Sequence, residues 1–405
     1  MKLNKWTVGL AAVGAISLSS AVQAEETEMN VVNSLTSGTT ISGYVSTAFS
    51  YNFNTASPSG SPNLAFGDPT DRADATGTGK ANGFALDVIN LTIEKPLDES
   101  EWAAGYKAEF LFGPDASAIG TSSIGQLNSS AGTSVTGGSD FGIKQAYVNV
   151  RAPIGNGLEF KMGVFDTIIG YEAFNYPDNP NYTRSLGWSI EPTQHTGLLM
   201  SYQINDIVSV SAGIAETVTP IINNRPSYTG TDSAKGQWDL TYMGAVAVTA
   251  PEDMGALAGS TLYAGALYGR TGSDTFGGGG NQASYYLGAT LATGIEGLSV
   301  GGALDYLALN NNATGAGAAG LTGSTWAAGI YASFQATAKL SLHGRGEYGR
   351  SNSGFDAVPT DNAPGEAWEG TLTAQYDLWQ NVISRLEFRW DNRNYGPNFG
   401  DANQG

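Results

Sequence analysis

VISRLEFRWD, residues 382–391, decides the fold. In an extended chain Arg385, Glu387, Arg389 and Asp391 fall on one face, and Leu386, Phe388 and Trp390 fall on the other. Side chains of a strand point alternately to its two faces, so this stretch meets two different solvents. Trp102–Phe112 repeats the pattern, with Lys107 and Glu109 opposed to Tyr106, Ala108, Phe110 and Phe112. In Leu158–Asp166, Glu159 and Lys161 oppose Leu158, Phe160, Met162 and Val164.

Working outward, the alternation recurs in fifteen segments after residue 40, from Ile41–Asn54 to Val382–Arg393. Short turns such as Pro96–Ser100, Pro153–Gly157, Asn205–Asp206 and Gly294–Gly297 alternate with long polar loops. The long ones lie near 55–83, 113–140, 167–195, 218–236, 272–282, 311–322 and 353–365. A soluble sandwich has no reason to gather every long loop at one end, whereas an outer-membrane barrel does. Backbone polar groups cannot stay unpaired in lipid, so such a sheet must close. The expected fold is all-β: a transmembrane antiparallel up-and-down β-barrel, residues 41–405. Trp188, Trp238, Tyr242, Trp326, Trp368, Trp379 and Trp390 are candidates for its interfacial aromatic girdles. Bacterial barrels have even strand counts. About sixteen strands are therefore expected, fifteen of them visible and the last missing, with Asn392–Gly405 opening an eighth long loop of a C-terminally truncated chain.

Composition agrees. The 405 residues include 55 Gly and only 14% charged side chains, against roughly 7% Gly and 25% charge in an average protein. Disorder needs more charge and less than the 41% hydrophobic content found here. A mean hydropathy of -0.15 argues against a bundle of membrane helices. Met1–Ala24 reads as a cleaved secretory leader, with Lys2 and Lys5 ahead of the apolar Val8–Leu18 and a small-residue site at Val22–Ala24. Residues 25–40 then form a periplasmic N-terminal segment. The mature chain has 17 bases against 37 acids, a net of -20, which excludes nucleic acid as a partner. There is no cysteine, hence no disulfide framework and no thiolate metal site.

Two further stretches resemble a known family. These are FGIKQAYVNVRAPIGNGLEFKMGVFDTIIGYE with NYPDNPNYTRSLGWSIEPTQHTG, between Phe141 and Gly197, and SRLEFRWD at Ser384–Asp391. Both are similar to the β-barrel porin-2 (OmpL-like) outer-membrane porins. The resemblance implies a water-filled pore in the outer membrane, passive diffusion of small hydrophilic solutes and ions, a possible homotrimer, and no cofactor. It also implies that the third long connection, Thr167–His195, folds inward and narrows the pore.

The candidate constriction residues on that loop are Tyr171, Glu172, Asp178, Tyr182, Arg184 and Glu191, with Tyr176 alongside. Pro177, Pro180 and Pro192 stiffen it by fixing φ. The candidate wall residues are Lys107, Glu109, Arg151, Glu159, Lys161, Arg345, Glu347, Arg385, Glu387 and Arg389. An acidic loop facing basic wall residues sets a field across the pore. The alternative is that these charges pair across neighbouring strands and keep the lumen wet. Close mixing of the two signs implies weak selectivity, tilted toward cations by the net charge.

Enzyme chemistry lacks its parts. Only His195 and His343 exist, no GxSxG is present, and two isolated histidines do not make a zinc site. Asp68–Asp74 (DPTDRAD) lacks the carboxylate spacing of an EF-hand. Two other functions stay open: a solute-specific channel (for example for sugars) or surface receptor, and a plugged barrel that anchors the envelope.

Overall fold

The computed structural model describes residues 38–51, 83–98, 100–118, 141–218, 220–226, 239–271, 280–310, 322–352 and 365–393. The leader Met1–Ala24, nearly all of the 25–40 segment, Asp68–Asp74, Trp238 and 394–405 lie outside the described residues.

Fifteen strands are described. They are β1 (Thr40–Ser50), β2 (Gly83–Lys95), β3 (Ala103–Phe112), β4 (Phe141–Ala152) and β5 (Leu158–Asp166). Next come β6 (Gln194–Gln203), β7 (Val208–Ala215), β8 (Thr241–Thr249), β9 (Thr261–Arg270) and β10 (Asn281–Ala292). The last are β11 (Leu298–Asn310), β12 (Thr322–Gln335), β13 (Leu340–Ser351), β14 (Gly365–Trp379) and β15 (Val382–Arg393). The two short α-helices among the described residues are α1 (Pro114–Ala118) and α2 (Leu186–Ile190). Each strand pairs antiparallel with the next in the chain, giving one up-and-down sheet in the order β1 to β15. Among the described residues no ladder joins β1 to β15, so the sheet is an unclosed meander.

The two faces have the polarity the alternation predicts, inverted relative to a soluble protein. Ile330, Leu372 and Leu386 are 72%, 68% and 78% exposed, while Glu109, Arg345 and Glu369 are buried on the inner face. Hydrocarbon outside and paired charge inside is the distribution lipid demands. Trp326, Tyr348 and Trp368 sit in contact across β12, β13 and β14, as a girdle requires. Trp188 is not among them: it lies in α2, within the loop between β5 and β6, because the alternation stops at Asp166.

Two irregularities matter for the site. The β1–β2 register shifts at Ser46/Thr47, and the β3–β4 register shifts at Glu109/Phe110. A bulge puts two residues opposite one and re-aims a side chain. Asp87 and Val88 are consequently both buried, and so are Lys144 and Gln145.

The β4–β5 ladder leaves no room at Gly163. Its φ is 135°, and a Cβ there would lie 2.2 Å from the backbone oxygen of Ala146. Neither backbone can yield without breaking the ladder. Gly163→Ala is expected to cost at least roughly 1–3 kcal/mol from backbone strain alone. Its urea midpoint, read by the heat-dependent gel mobility of the folded barrel, should fall well below the parent's.

Candidate pore constriction

The connection from Thr167 to Thr193 runs inside the sheet and is tied to strands on the far side of it. Its first arm is apolar. Ile168 and Ile169 pack in a buried cluster with Leu199, Met243, Tyr263, Leu267, Tyr286 and Tyr331. Tyr263 donates its hydroxyl to the Ile168 carbonyl, and Tyr171 stacks on Tyr331 with ring centroids 4.0 Å apart. Gly301 makes space for this, since a Cβ there would sit 1.9 Å from the Tyr171 hydroxyl.

The middle of the loop carries a self-contained turn. Asn179 accepts from Ala173 N–H at 2.8 Å and donates to the Ala173 and Asn175 carbonyls, both at 2.7 Å. Pro177 sets the first turn of the 3-10 segment Tyr176–Asp178. Tyr176 and Tyr182 stack at 5.0 Å, and the Arg184 guanidinium lies 4.9 Å from the Tyr176 ring centre. Their hydroxyls donate to carboxylates outside the loop, Tyr176 to Asp115 at 2.9 Å and Tyr182 to Asp87 at 2.7 Å. Burial pushes the Asp178 carboxyl above the usual range, against the opposing pull of a hydrogen bond to Asn175.

The wall of β13–β15 grips the loop backbone. Arg385 donates to the Tyr176 and Asn179 carbonyls at 2.9 and 2.6 Å, and Arg389 to the Arg184 carbonyl at 2.6 Å. Glu387 accepts the N–H groups of Tyr182 and Thr183 at 2.5 and 2.9 Å. Glu347 accepts from Leu186 N–H at 2.9 Å, the free first turn of α2. Ser185 caps the same helix, accepting from Trp188 N–H at 2.9 Å.

Arg345 is the hub. Its side chain is fully buried, 2.6 Å from Glu172, 3.1 Å from Glu369 and 3.3 Å from Glu347, and it donates to the Thr183 carbonyl at 2.8 Å. Register explains the cluster. Glu347 faces Glu369 and Glu369 faces Asp391, one row from Arg345, Thr371 and Arg389. A row of acids beside a row of bases neutralises a buried face. Arg389 adds an ion pair to Asp391 at 2.8 Å.

A second cluster lines β3–β5. Lys144 is 2.6 Å from Asp166 and 3.4 Å from Glu109, and Glu109 also accepts from Gln145 and Asn90, each at 2.8 Å. Lys107 lies 3.4 Å from the same Glu109 oxygen as Lys144. Arg151 pairs with Glu159 directly across the β4–β5 ladder. Lys161 has its ammonium 4.6 Å from the Tyr147 ring centre and makes no ion pair among the described residues.

The ten wall residues expected from the sequence all lie in these two groups. Of the loop residues, Tyr171, Glu172, Tyr182 and Arg184 are tied into the network, Glu191 faces β11, and Asp178 stays half-exposed. The charges of loop and wall meet directly instead of standing apart across a gap: Glu172 touches Arg345, and wall arginines and glutamates bind loop backbone. Sequence reasoning missed Asp87, Lys144, Asp166 and Glu369. Glu369 was readable, since Ala367, Glu369, Thr371, Thr373 and Gln375 alternate as an inward face. Asp87 and Lys144 were hidden by the bulges. His195 is fully buried against Thr167, and His343 bonds Ser333.

Several solved structures are similar to this chain. The outer membrane channel DcaP of Acinetobacter baumannii is 10% identical, with 89% of this chain and 92% of that chain covered and a TM-score of 0.52. In-vitro folded OmpT of Vibrio cholerae, in its trimer form, gives 13% identity, 79% and 86% coverage and 0.47. OmpF of Salmonella typhi, in complex with daunomycin, gives 10%, 76% and 92%, and 0.43. At 10% identity the likeness to DcaP is one of fold. No curated protein is similar enough in sequence to serve as a relative. The match that does hold spans residues 38–405, and through it the chain belongs to the family described as "Putative beta-barrel porin-2, OmpL-like", outer-membrane β-barrel porins.

Proposed function

We propose that the protein is a passive, water-filled channel for small hydrophilic solutes and ions, with the Thr167–Thr193 loop as its constriction. The observation that carries this reading is a polar inner wall bridged by a loop held at many points, an arrangement that narrows a pore without chemistry. On this reading the passage runs along the part of the β3–β5 wall that the loop leaves uncovered. Lys107, Arg151, Glu159 and Lys161 there make no hydrogen bond to the loop among the described residues.

Selectivity is weak because the wall balances itself. On β2–β5, five bases (Lys95, Lys107, Lys144, Arg151, Lys161) meet five acids (Asp87, Glu94, Glu109, Glu159, Asp166). The mature net charge of -20 then tips the preference toward cations, although charge on outer loops is screened beyond about 10 Å at 0.1 M salt. Family membership supports outer-membrane residence in a Gram-negative-type envelope. The sequence of Met1–Ala24 supports export through a cleaved leader. Resemblance supports a homotrimer, which light scattering in detergent tests directly.

Planar-bilayer recording in a salt gradient is the deciding experiment. Stepwise ohmic openings with a modest cation-directed reversal potential are expected, and solute flux should rise linearly with concentration. A folded, inserted barrel that stays silent would overturn the channel reading, and saturable flux inhibited by one solute would replace diffusion by specific transport. Lys161→Glu should raise cation over anion permeability several-fold, because that ammonium has no counter-ion to absorb the change.

A further inference from the structure

The loop returns to the wall through two carboxyls that have no counter-ion. Glu191, at the C-cap of α2, and Asp305 of β11 are neighbouring carboxyls, each acting on the other's charge. Two glycines clear the space: a Cβ on Gly187 would lie 2.4 Å from Asp305 Oδ2, and one on Gly170 would lie 2.2 Å from Glu191 Oε2. Asp305 is 4% exposed and its Oδ1 has no hydrogen-bond partner. Among the described residues neither carboxyl forms an ion pair with any Lys, Arg or His.

The surroundings do not supply a cation. Glu172 of the loop and Glu347 of β13 add negative charge, and Tyr286 of β10 faces both carboxyls. From β12 comes Tyr331, beside Glu172 and Glu347. Arg345 is the base of this region, and it is committed to Glu172, Glu347 and Glu369. Two adjacent carboxyls without a base, Asp305 buried and Glu191 half-buried, repel each other strongly when both are ionised.

We propose that Glu191 and Asp305 hold one proton between them and form a pH-released clamp that fastens the return arm of the loop, α2 and the residues after it, to β11. With the proton present, an O–H donates to a carboxylate, a charge-assisted bond of the short, strong kind. Without it, two like charges face each other in a poorly hydrated site. Burial and the neighbouring Asp305 charge push the Glu191 carboxyl well above the usual range. A raised folded-state value means that the clamp is in force at acid pH and is lost as pH rises through that value. The rest of the loop keeps its anchors on β13–β15, so release loosens one arm and makes the constriction fluctuate.

The clamp rests on the channel reading only for its electrical consequence, so its first test is structural. Amide exchange of Leu186–Thr193, in the folded wild-type barrel and corrected for intrinsic rates, should lose about tenfold in protection at alkaline pH relative to strand amides. In Glu191→Gln and Asp305→Asn an amide replaces the proton-bearing group, and protection should become flat with pH. Glu296→Gln, in the exposed β10–β11 turn, should follow the wild type. Single-channel current should gain brief closures over the same pH range, and both clamp variants should abolish them. A flat wild-type profile, or variants that keep the wild-type fall, would overturn the clamp. Suppression of the fall by added calcium chloride would overturn it too, by placing a metal ion where the proton is assigned. Exchange that behaves as expected in an electrically silent barrel keeps the clamp and refutes the channel.

Discussion

Arg345→Met should destabilise the folded barrel by roughly 3–5 kcal/mol, the range seen when one partner of a buried ion pair is removed. The guanidinium is fully buried and answers three carboxylates, Glu172, Glu347 and Glu369, along with the Thr183 and Arg184 carbonyls. Methionine fills much of the volume but leaves those carboxylates facing one another, with Arg389, 3.8 Å from Glu369, the one base still in reach among the described residues. Arg345→Lys should fall between, because a single ammonium cannot reproduce the planar fork that serves the loop and β14 together. The measurement is a urea titration followed by folded-barrel gel mobility. A loss within about 1 kcal/mol for the methionine variant, the size of an ordinary surface change, would mean that the loop is not held by this cluster.

Excising the crossing segment should have the largest effect on conduction. With Glu172–Ser185 replaced by a short Gly–Ser linker, the barrel keeps all fifteen strands and the apolar first arm, because Ile168, Ile169 and Tyr171 remain packed on β9 and β12. The removed part holds the contacts to β1, β2, β13 and β15, through Asn175, Tyr182, Glu172 and the carbonyls taken by Arg385 and Arg389. Arg385, Arg389 and Glu387 then face water and are hydrated instead of bridged. Unitary conductance should rise several-fold, and the cation preference should shrink as the passage widens beyond the reach of wall charge. An unchanged conductance would place the narrowest point elsewhere. The excision and Arg345→Met also separate two roles, since the first widens the pore with the wall acids hydrated and the second strands them in a buried site.

Much of the site was legible before any coordinates. The inner positions of Lys107, Glu109, Arg151, Glu159 and Lys161 follow from counting in twos along β3–β5, and Arg385, Glu387 and Arg389 follow likewise on β15. Counting in twos fails where a residue is inserted. Lys144 is an odd step from Tyr147, Asn149 and Arg151, so alternation places it toward lipid. The bulge turns it inward to Asp166 and Glu109. Asp87 is carried inward in the same way by the irregular β1–β2 register, where it accepts from Ser46 and Tyr182.

The sequence by itself determined the all-β class, the fifteen alternating segments, and which connection is long, proline-bearing and rich in tyrosine. Strand periodicity and turn chemistry are local, set by neighbours a few residues apart, and can be read along the chain. Only the tertiary structure decided who meets whom. The Glu172–Arg345 contact, the Glu387 grip on Tyr182 and Thr183, and the Glu191–Asp305 pair join positions far apart in the chain. Their partners follow from the register of β11–β15 and from the path of one irregular loop. Neither has a periodicity to count, because a loop's course is fixed by the wall groups that satisfy its backbone once the sheet has formed around it.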